Sequence, residues 1–369
     1  MNDRMILLNP GPVTLTERVR AALGRGDWCH REPEFAALTR EINQALVRVY
    51  PEMAEVFQSV LITGSGTAAV ESMLATFAPA GGKTLVLANG VYGERMATML
   101  DAHRKPNILL RNEWTAAPDL NELNAALDSD RDVTHLATVH HETTTGRLND
   151  LAAIGRICRE RGVALLLDAV SSFGAEDINA DNWNLEALAA TANKCIHGVP
   201  GVSFVLAHKD AWAREAEPAG SVYLDLRAYY RGQHKEGFSP FTQSVQAAFA
   251  LGEALAELEE SGGWQERRAT YRNRAARIHQ ELAGENVDIL LNKNEFSSVL
   301  WSYVLPRGMT FEALHDRLKA AGFVIYAGQG DLGERIFRIA HMGDIQADDL
   351  DRLCGALRHA LRDLAGGRP

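Results

Sequence analysis

The sequence predicts an α/β fold, a mostly parallel sheet with helices on both faces, followed by a smaller α+β C-terminal part. Three observations carry this. Apolar blocks that end in polar or glycine residues recur at 59–63, 84–89, 134–140 and 163–168, with helical segments between them. The blocks lack strict alternation, Leu165-Leu166-Leu167 most clearly, as expected of strands covered on both faces. Beyond about residue 240 the pattern changes to long helices with only short strand-like runs.

Taken in order, the short apolar run at 1–8 is cut off by Pro10 and Pro12 and reads as an N-terminal arm, 1–16. Phe35, Leu38, Ile42 and Leu46 recur at three- and four-residue spacing and predict a helix. The strand at 59–63 runs into Gly64-Ser65-Gly66-Thr67, and 68–77 predicts the helix after that turn. A long helical pattern at 243–260 leads into Ser261-Gly262-Gly263, where the chain is expected to divide: a large domain over 17–255 and a small one over 256–369. The small domain should hold a helix at 310–321, strand-like runs at 323–326 and 336–340, and a leucine stripe from Leu350 to Leu364.

Composition narrows the function classes. With 369 residues and 46% apolar content the chain is large enough for more than one core. A net charge of −10 disfavours nucleic acid as the main partner. No stretch approaches the ~18 apolar residues of a membrane span, and nothing resembles an export signal, so a cytoplasmic location is expected. Cys29, Cys158, Cys195 and Cys354 share no C-x-x-C spacing, which points away from a zinc knuckle or a disulfide framework.

The turn at 64–67 sits between a strand and a helix, where free backbone N–H groups and the positive helix end suit a phosphate. With Ala69 it also matches a variant dinucleotide fingerprint, but the next strand ends in Asn89-Gly90 rather than the acid that would hold a ribose. A turn that merely packs helix on strand is the plain alternative. Lysine is scarce, seven against 31 arginines. Lys105, Lys209, Lys235, Lys293 and Lys319 have polar neighbours typical of a solvated surface, and Lys83 precedes a strand. Lys194 instead lies among small, apolar and turn residues from Thr191 to Gly201. Desolvation there would lower its pKa and leave a nucleophile able to form an imine with an aldehyde, against the alternative of an exposed loop lysine. Asp168 ends the strand at 163–168, where open α/β sheets bind ligands; its other reading is an N-cap. His140 and His141 are adjacent on a strand end, so they point to opposite faces and make a poor metal pair. No metal is expected. Phosphate cradle, imine-forming lysine and strand-end acid are together what pyridoxal phosphate requires: the first holds the 5′-phosphate, the second binds the aldehyde and the third keeps the pyridine nitrogen protonated.

These residues resemble the class V aminotransferases of fold type I, and within them the 2-aminoethylphosphonate–pyruvate transaminases. The likeness spans nearly the whole chain, from Leu8-Asn9-Pro10-Gly11-Pro12 through 64–67, 89–95, His141 to Gly146, Asp168 to Ser172, Asn193-Lys194-Cys195 and Pro240-Phe241-Thr242 to Phe337-Arg338-Ile339. It implies a seven-stranded, mostly parallel sheet and pyridoxal 5′-phosphate. Lys194 matches the Schiff-base lysine, Asp168 the partner of the pyridine nitrogen, and Ser65, Gly66 and Thr67 the phosphate cradle. Tyr92 matches the ring stacked on the cofactor and Thr143 the residue on its phenolic oxygen, with Thr144 and Thr145 close by. Thr242 matches a residue that reaches the phosphate of the neighbouring subunit, which implies a homodimer with shared sites. Arg338 matches the arginine that binds the keto acid carboxylate; on residues alone it would be a surface arginine. The segment 27–35, with His30-Arg31 as candidate phosphonate contacts, is closer to relatives associated with phosphonate biosynthesis, which leaves the direction open. Rival activities are another class V transamination using alanine, serine or glyoxylate, cysteine desulfuration, and a non-catalytic cofactor-binding regulator. Neither Cys195 nor Cys354 suits desulfuration, which needs a mobile loop cysteine.

Overall fold

The computed structural model describes residues 4–214 and 219–366; the first three residues of the expected arm and the last three of the chain lie outside it. Its centre is a sheet of seven strands: β1 (Phe57–Thr63), β2 (Lys83–Ala88), β3 (Asn107–Arg111), β4 (Val133–Val139), β5 (Ala164–Asp168), β6 (Leu185–Thr191) and β7 (Val202–His208), in the order β1-β7-β6-β5-β4-β2-β3. All neighbours are parallel except β7, which runs antiparallel to both β1 and β6. Because β7 reverses between them, β1 points the same way as the other strands. The carboxyl ends of β1, β2, β4, β5 and β6 therefore share one edge, and the turns that leave them converge.

Both faces of the sheet are covered. Leu85 and Leu87 enter one core cluster and Val86 the other; Leu165 and Leu167 likewise divide from Leu166. This period-two partition is why the strands read as unbroken apolar runs. Helices α1 (Pro33–Arg48), α2 (Gly66–Phe77), α3 (Val91–Ala102), α4 (Leu120–Ser129), α5 (Leu151–Arg161) and α6 (Val245–Glu260) surround the sheet. Proline at the first helical position fixes the start of α1, and Phe35, Ile42 and Leu46 form its buried stripe.

A third cluster joins α7 (Gly263–Gly284), α8 (Phe311–Ala320) and α9 (Ala347–Gly366) to a three-stranded antiparallel sheet of β8 (Leu300–Val304), β9 (Tyr326–Ala327) and β10 (Ile336–Ala340). Ile6 and Leu8 of the arm are part of it, and Ile6–Leu7 pairs in parallel with Phe323–Val324. The expected strand at 323–326 is thus two short pairings, since Ile325 turns the chain from the arm toward β10. Lys105 corrects the sequence reading: it is buried at 5% exposure and donates to the Ala78 carbonyl oxygen. Among the described residues, no helix is long and apolar enough to cross a membrane.

Candidate active site

The turn after β1 brings the start of α2 to the shared edge. Gly64 N donates to Gly201 O at 3.0 Å, and Ser203 Oγ donates to Gly64 O at 3.0 Å, so the turn is pinned to the start of β7. A Cβ on Gly66 would meet Val170 Cγ1 at 2.8 Å, which makes the close approach of α2 to the segment after β5 a glycine requirement. Ser65 stands at the N-cap position but makes no capping bond, and Ser65 and Thr67 are exposed. The first N–H groups of a helix have no acceptor within it, so this start presents donors outward.

Asp168 ends β5 and is 6% exposed. Its Oδ1 accepts from Val170 N at 2.9 Å, and Oδ2 has no hydrogen-bond partner among the described residues. Burial, helped by the charge of Glu142, pushes its pKa up to about 7 against the pull of the Val170 N–H, Lys194 and Arg95. Lys194 follows β6 and is half-buried. Its Nζ donates to Pro10 O, and a Cβ on Gly11, which has φ +111°, would lie 2.6 Å from Lys194 Cδ. The arm therefore closes over the lysine side chain. Burial lowers the Lys194 pKa to about 8, with Arg338 adding to the shift and Asp168 opposing it. An amine with a substantial neutral fraction near pH 8 is a competent nucleophile and base.

The short antiparallel hairpin of His141–Glu142 and Arg147–Leu148 carries the threonines. Gly146 closes it at φ +91°, where a Cβ would come within 2.7 Å of Leu300 O. Thr144 Oγ1 donates to Glu142 Oε1 at 2.6 Å and accepts from Val91 N at 3.1 Å; Thr145 Oγ1 accepts from Arg147 N at 3.4 Å. Among the described residues, only the Thr143 hydroxyl of the three makes no hydrogen bond. Tyr92, half-buried at the start of α3, has the Arg95 guanidinium 4.8 Å above its ring.

Glu142 went unnoticed in the sequence. It is fully buried, accepts from Thr144 N at 3.1 Å, Gly93 N at 3.4 Å and the Tyr92 N–H, and so caps α3 from another element. A Cβ on Gly90 would collide with its side chain. Both histidines are engaged in other ways. His141 Nδ1 donates to Ser171 O at 3.0 Å, leaving Nε2 to accept from Ser297 Oγ at 2.8 Å, while His140 packs edge-on against Trp183. Burial holds them neutral, at about 4 and about 3.

Arg338, on β10, is 2% exposed rather than the surface residue its type suggests. Nε donates to Ala327 O at 2.8 Å, and Nη1 to Thr143 O at 2.8 Å and Gln329 Oε1 at 3.2 Å. No carboxylate pairs with it among the described residues. Burial lowers its pKa. Thr242 is exposed in the loop before α6, where Ser244 N donates to Thr63 Oγ1 at 3.0 Å. Exposed Arg31 donates to Pro240 O in the same loop at 3.3 Å, two residues before Thr242, and among the described residues neither it nor its sequence neighbour His30 bonds to Arg338. Cys195 is buried, with its thiol pushed up to about 12. That is the opposite of what a sulfur-transferring cysteine needs.

The donors of an open helix start, a carboxylate with one oxygen free and an amine of lowered pKa fit the phosphate, ring nitrogen and aldehyde of pyridoxal 5′-phosphate, and they sit on a fold type I frame. The class is thus a pyridoxal-phosphate-dependent aminotransferase. More narrowly, the chain belongs to the class V aminotransferase family, whose profile matches residues 35–329. It is 35% identical over 356 residues to a bifunctional phosphonoacetaldehyde hydrolase/aminoethylphosphonate transaminase of Clostridioides difficile, a match covering 95% of this chain and 56% of that one. The chain thus spans little more than half the length of that relative. A 2-aminoethylphosphonate–pyruvate transaminase of Bacillus cereus is 33% identical, with 96% and 97% covered. Among solved structures, an alanine–glyoxylate aminotransferase of Nostoc superposes with a TM-score of 0.90 at 27% identity, covering 97% of this chain and 96% of that one. A ureidoglycine–glyoxylate aminotransferase of Bacillus subtilis has a TM-score of 0.91 at 22% identity, covering 99% and 95%, and shares the fold.

Proposed function

We propose that this enzyme moves the amino group of 2-aminoethylphosphonate to pyruvate, giving phosphonoacetaldehyde and L-alanine, or runs the reverse reaction. The observation that carries the reading is Arg338: a buried guanidinium beside Lys194, bound only by neutral carbonyl oxygens, is a receptor for an acidic substrate group. The names of the full-length relatives supply the phosphonate.

Pyridoxal phosphate supplies an electron sink for the charge left on a carbon that loses its proton. Ser65, Gly66 and Thr67 would hold its phosphate, Tyr92 its ring face, Thr143 its phenolic oxygen and Asp168 its ring nitrogen. Lys194, once its amine is free, is the base that takes the proton from the substrate carbon and returns it elsewhere. Its lowered pKa suits both duties, since near pH 8 the neutral amine can take the proton and the ammonium it becomes can give it back. Thr242 would reach the phosphate site of a second copy in a homodimer, with His30 and Arg31 nearby as phosphonate contacts, and the enzyme would work in the cytoplasm.

Purified enzyme loaded with pyridoxal phosphate, given pyruvate and a panel of amino donors, should form alanine fastest with 2-aminoethylphosphonate. Preference for serine as donor, or for glyoxylate over pyruvate in a parallel assay of acceptors, would move it to another class V activity.

A further inference from the structure

We propose that Gln329 is a specificity-determining residue, its amide nitrogen completing with Arg338 Nη2 the two-donor receptor for the acidic group of the substrate. The inference rests on the reading that Arg338 receives that group. A carboxylate fork on arginine normally uses two parallel N–H groups from neighbouring nitrogens. Here Nε and both Nη1 hydrogens are committed, to Ala327 O, Thr143 O and Gln329 Oε1, and only Nη2 has no acceptor among the described residues. Arg338 alone thus offers one free nitrogen.

The second comes from Gln329. A guanidinium can only donate, so the contact at 3.2 Å fixes the amide with Oε1 toward Nη1. Gln329 Nε2 is thereby turned away from Nη1, and it too has no acceptor among the described residues. The backbone is held in place on both sides. Gly328 N donates to Ile336 O at 3.1 Å, and Gly330, at φ +50°, packs where a Cβ would lie 2.7 Å from Trp114 Cη2. Leu332 N closes the turn on Gln329 O at 3.0 Å. A neutral amide in this place orients Arg338 without cancelling its charge, which a glutamate would do.

The test compares wild-type holoenzyme with Gln329→Met and Gln329→Glu, using calorimetric Kd for oxamate, an unreactive carboxylate, and kcat/KM for pyruvate and uncharged methyl pyruvate. Gln329→Met should weaken oxamate binding and pyruvate kcat/KM by roughly 10- to 100-fold, with methyl pyruvate changed less than about threefold. Gln329→Glu should be worse still for both acids, although it holds Arg338 more firmly. Oxamate affinity in Gln329→Glu within twofold of wild type, where the amide donor is gone and the charge of Arg338 is cancelled, overturns the proposal. So does oxamate affinity within twofold of wild type in Gln329→Met. Loss of oxamate binding in an enzyme that ignores 2-aminoethylphosphonate would sink only the substrate assignment.

Discussion

Asp168 and Lys194 are both displaced from their ordinary ionisation by the same burial, in directions that favour their neutral forms. Folding is linked to this. The folded pKa of Asp168, about 7, lies above its unfolded value of 3.8, so its contribution is full below pH 4 and is lost as pH rises through 7. Lys194 is depressed from 10.5 to about 8, so its contribution is regained as pH rises between those values. Protein stripped of cofactor should be least stable near pH 7 to 8, and Asp168 accounts for up to about 4 kcal/mol of the loss. Asp168→Asn, which has no charge to bury, should therefore melt above the stripped wild type at pH 8 and level with it at pH 4, while transamination falls by orders of magnitude. Equal melting temperatures at pH 8 would mean that the carboxylate is already compensated. In the sequence Lys194 stood out because lysine is rare and its neighbours are apolar. Arg338 could not, since only the packing of β10 against the Thr143 turn buries it, and nothing in the sequence separates it from the other 30 arginines.

At the scale of elements, the shared sheet edge offers two helix starts with opposite treatment. The start of α3 receives the Glu142 carboxylate, whereas that of α2 receives no side-chain cap among the described residues. An anion is favoured at either end, and only the second leaves room for one from outside. Glu142→Gln should separate these roles. Its amide nitrogen would face the Thr144 or Gly93 N–H, leaving a buried donor unpaired, and we expect a loss of about 1 to 3 kcal/mol in urea denaturation. Because α3 carries Tyr92, the cofactor Kd should also rise several-fold; unchanged stability and Kd together would strip Glu142 of this positioning role. The cap was illegible because Glu142 and Gly90 are distant in sequence and belong to different turns. Three strands escaped for other reasons. Leu185–Thr191 is rich in leucine and alanine, good helix formers, and only pairing on both sides makes it β6. Asn107–Arg111 is a half-exposed edge strand, and the Pro200-Gly201 turn before Val202–His208 marks a break without showing that the strand after it runs antiparallel to both neighbours. The four core strands that end in Thr63, Ala88, Val139 and Asp168 were legible because covered strands leave continuous apolar runs.

For the whole molecule, the proposed homodimer rests on the surface around Thr242. Ser65, Thr67 and Thr242 are exposed together with Val222 at 81% and Tyr223, whose hydroxyl donates to Thr63 O at 2.6 Å just before the cradle. Trp28 is also exposed, one edge against Phe249 and the other outward, on the segment that leads to Arg31 and the Pro240 carbonyl. Aromatic surface this close to the proposed phosphate cradle is ordinary for a contact between subunits and costly in water. Were Thr242 to serve its own chain, each site would depend on one polypeptide; were it to serve a partner, each would depend on two. Mixing subunits distinguishes the cases. Lys194→Ala removes the amine, and Thr242→Glu sets a negative charge against the phosphate, so each parent should be inactive. In a mixed dimer with contribution across the interface, one site carries both defects and the other neither. Random exchange makes half the dimers mixed with one sound site each, so activity should return to about one quarter of wild type. With contribution within the chain both sites of every dimer stay defective, and no activity returns even where mass spectrometry proves that subunits have exchanged.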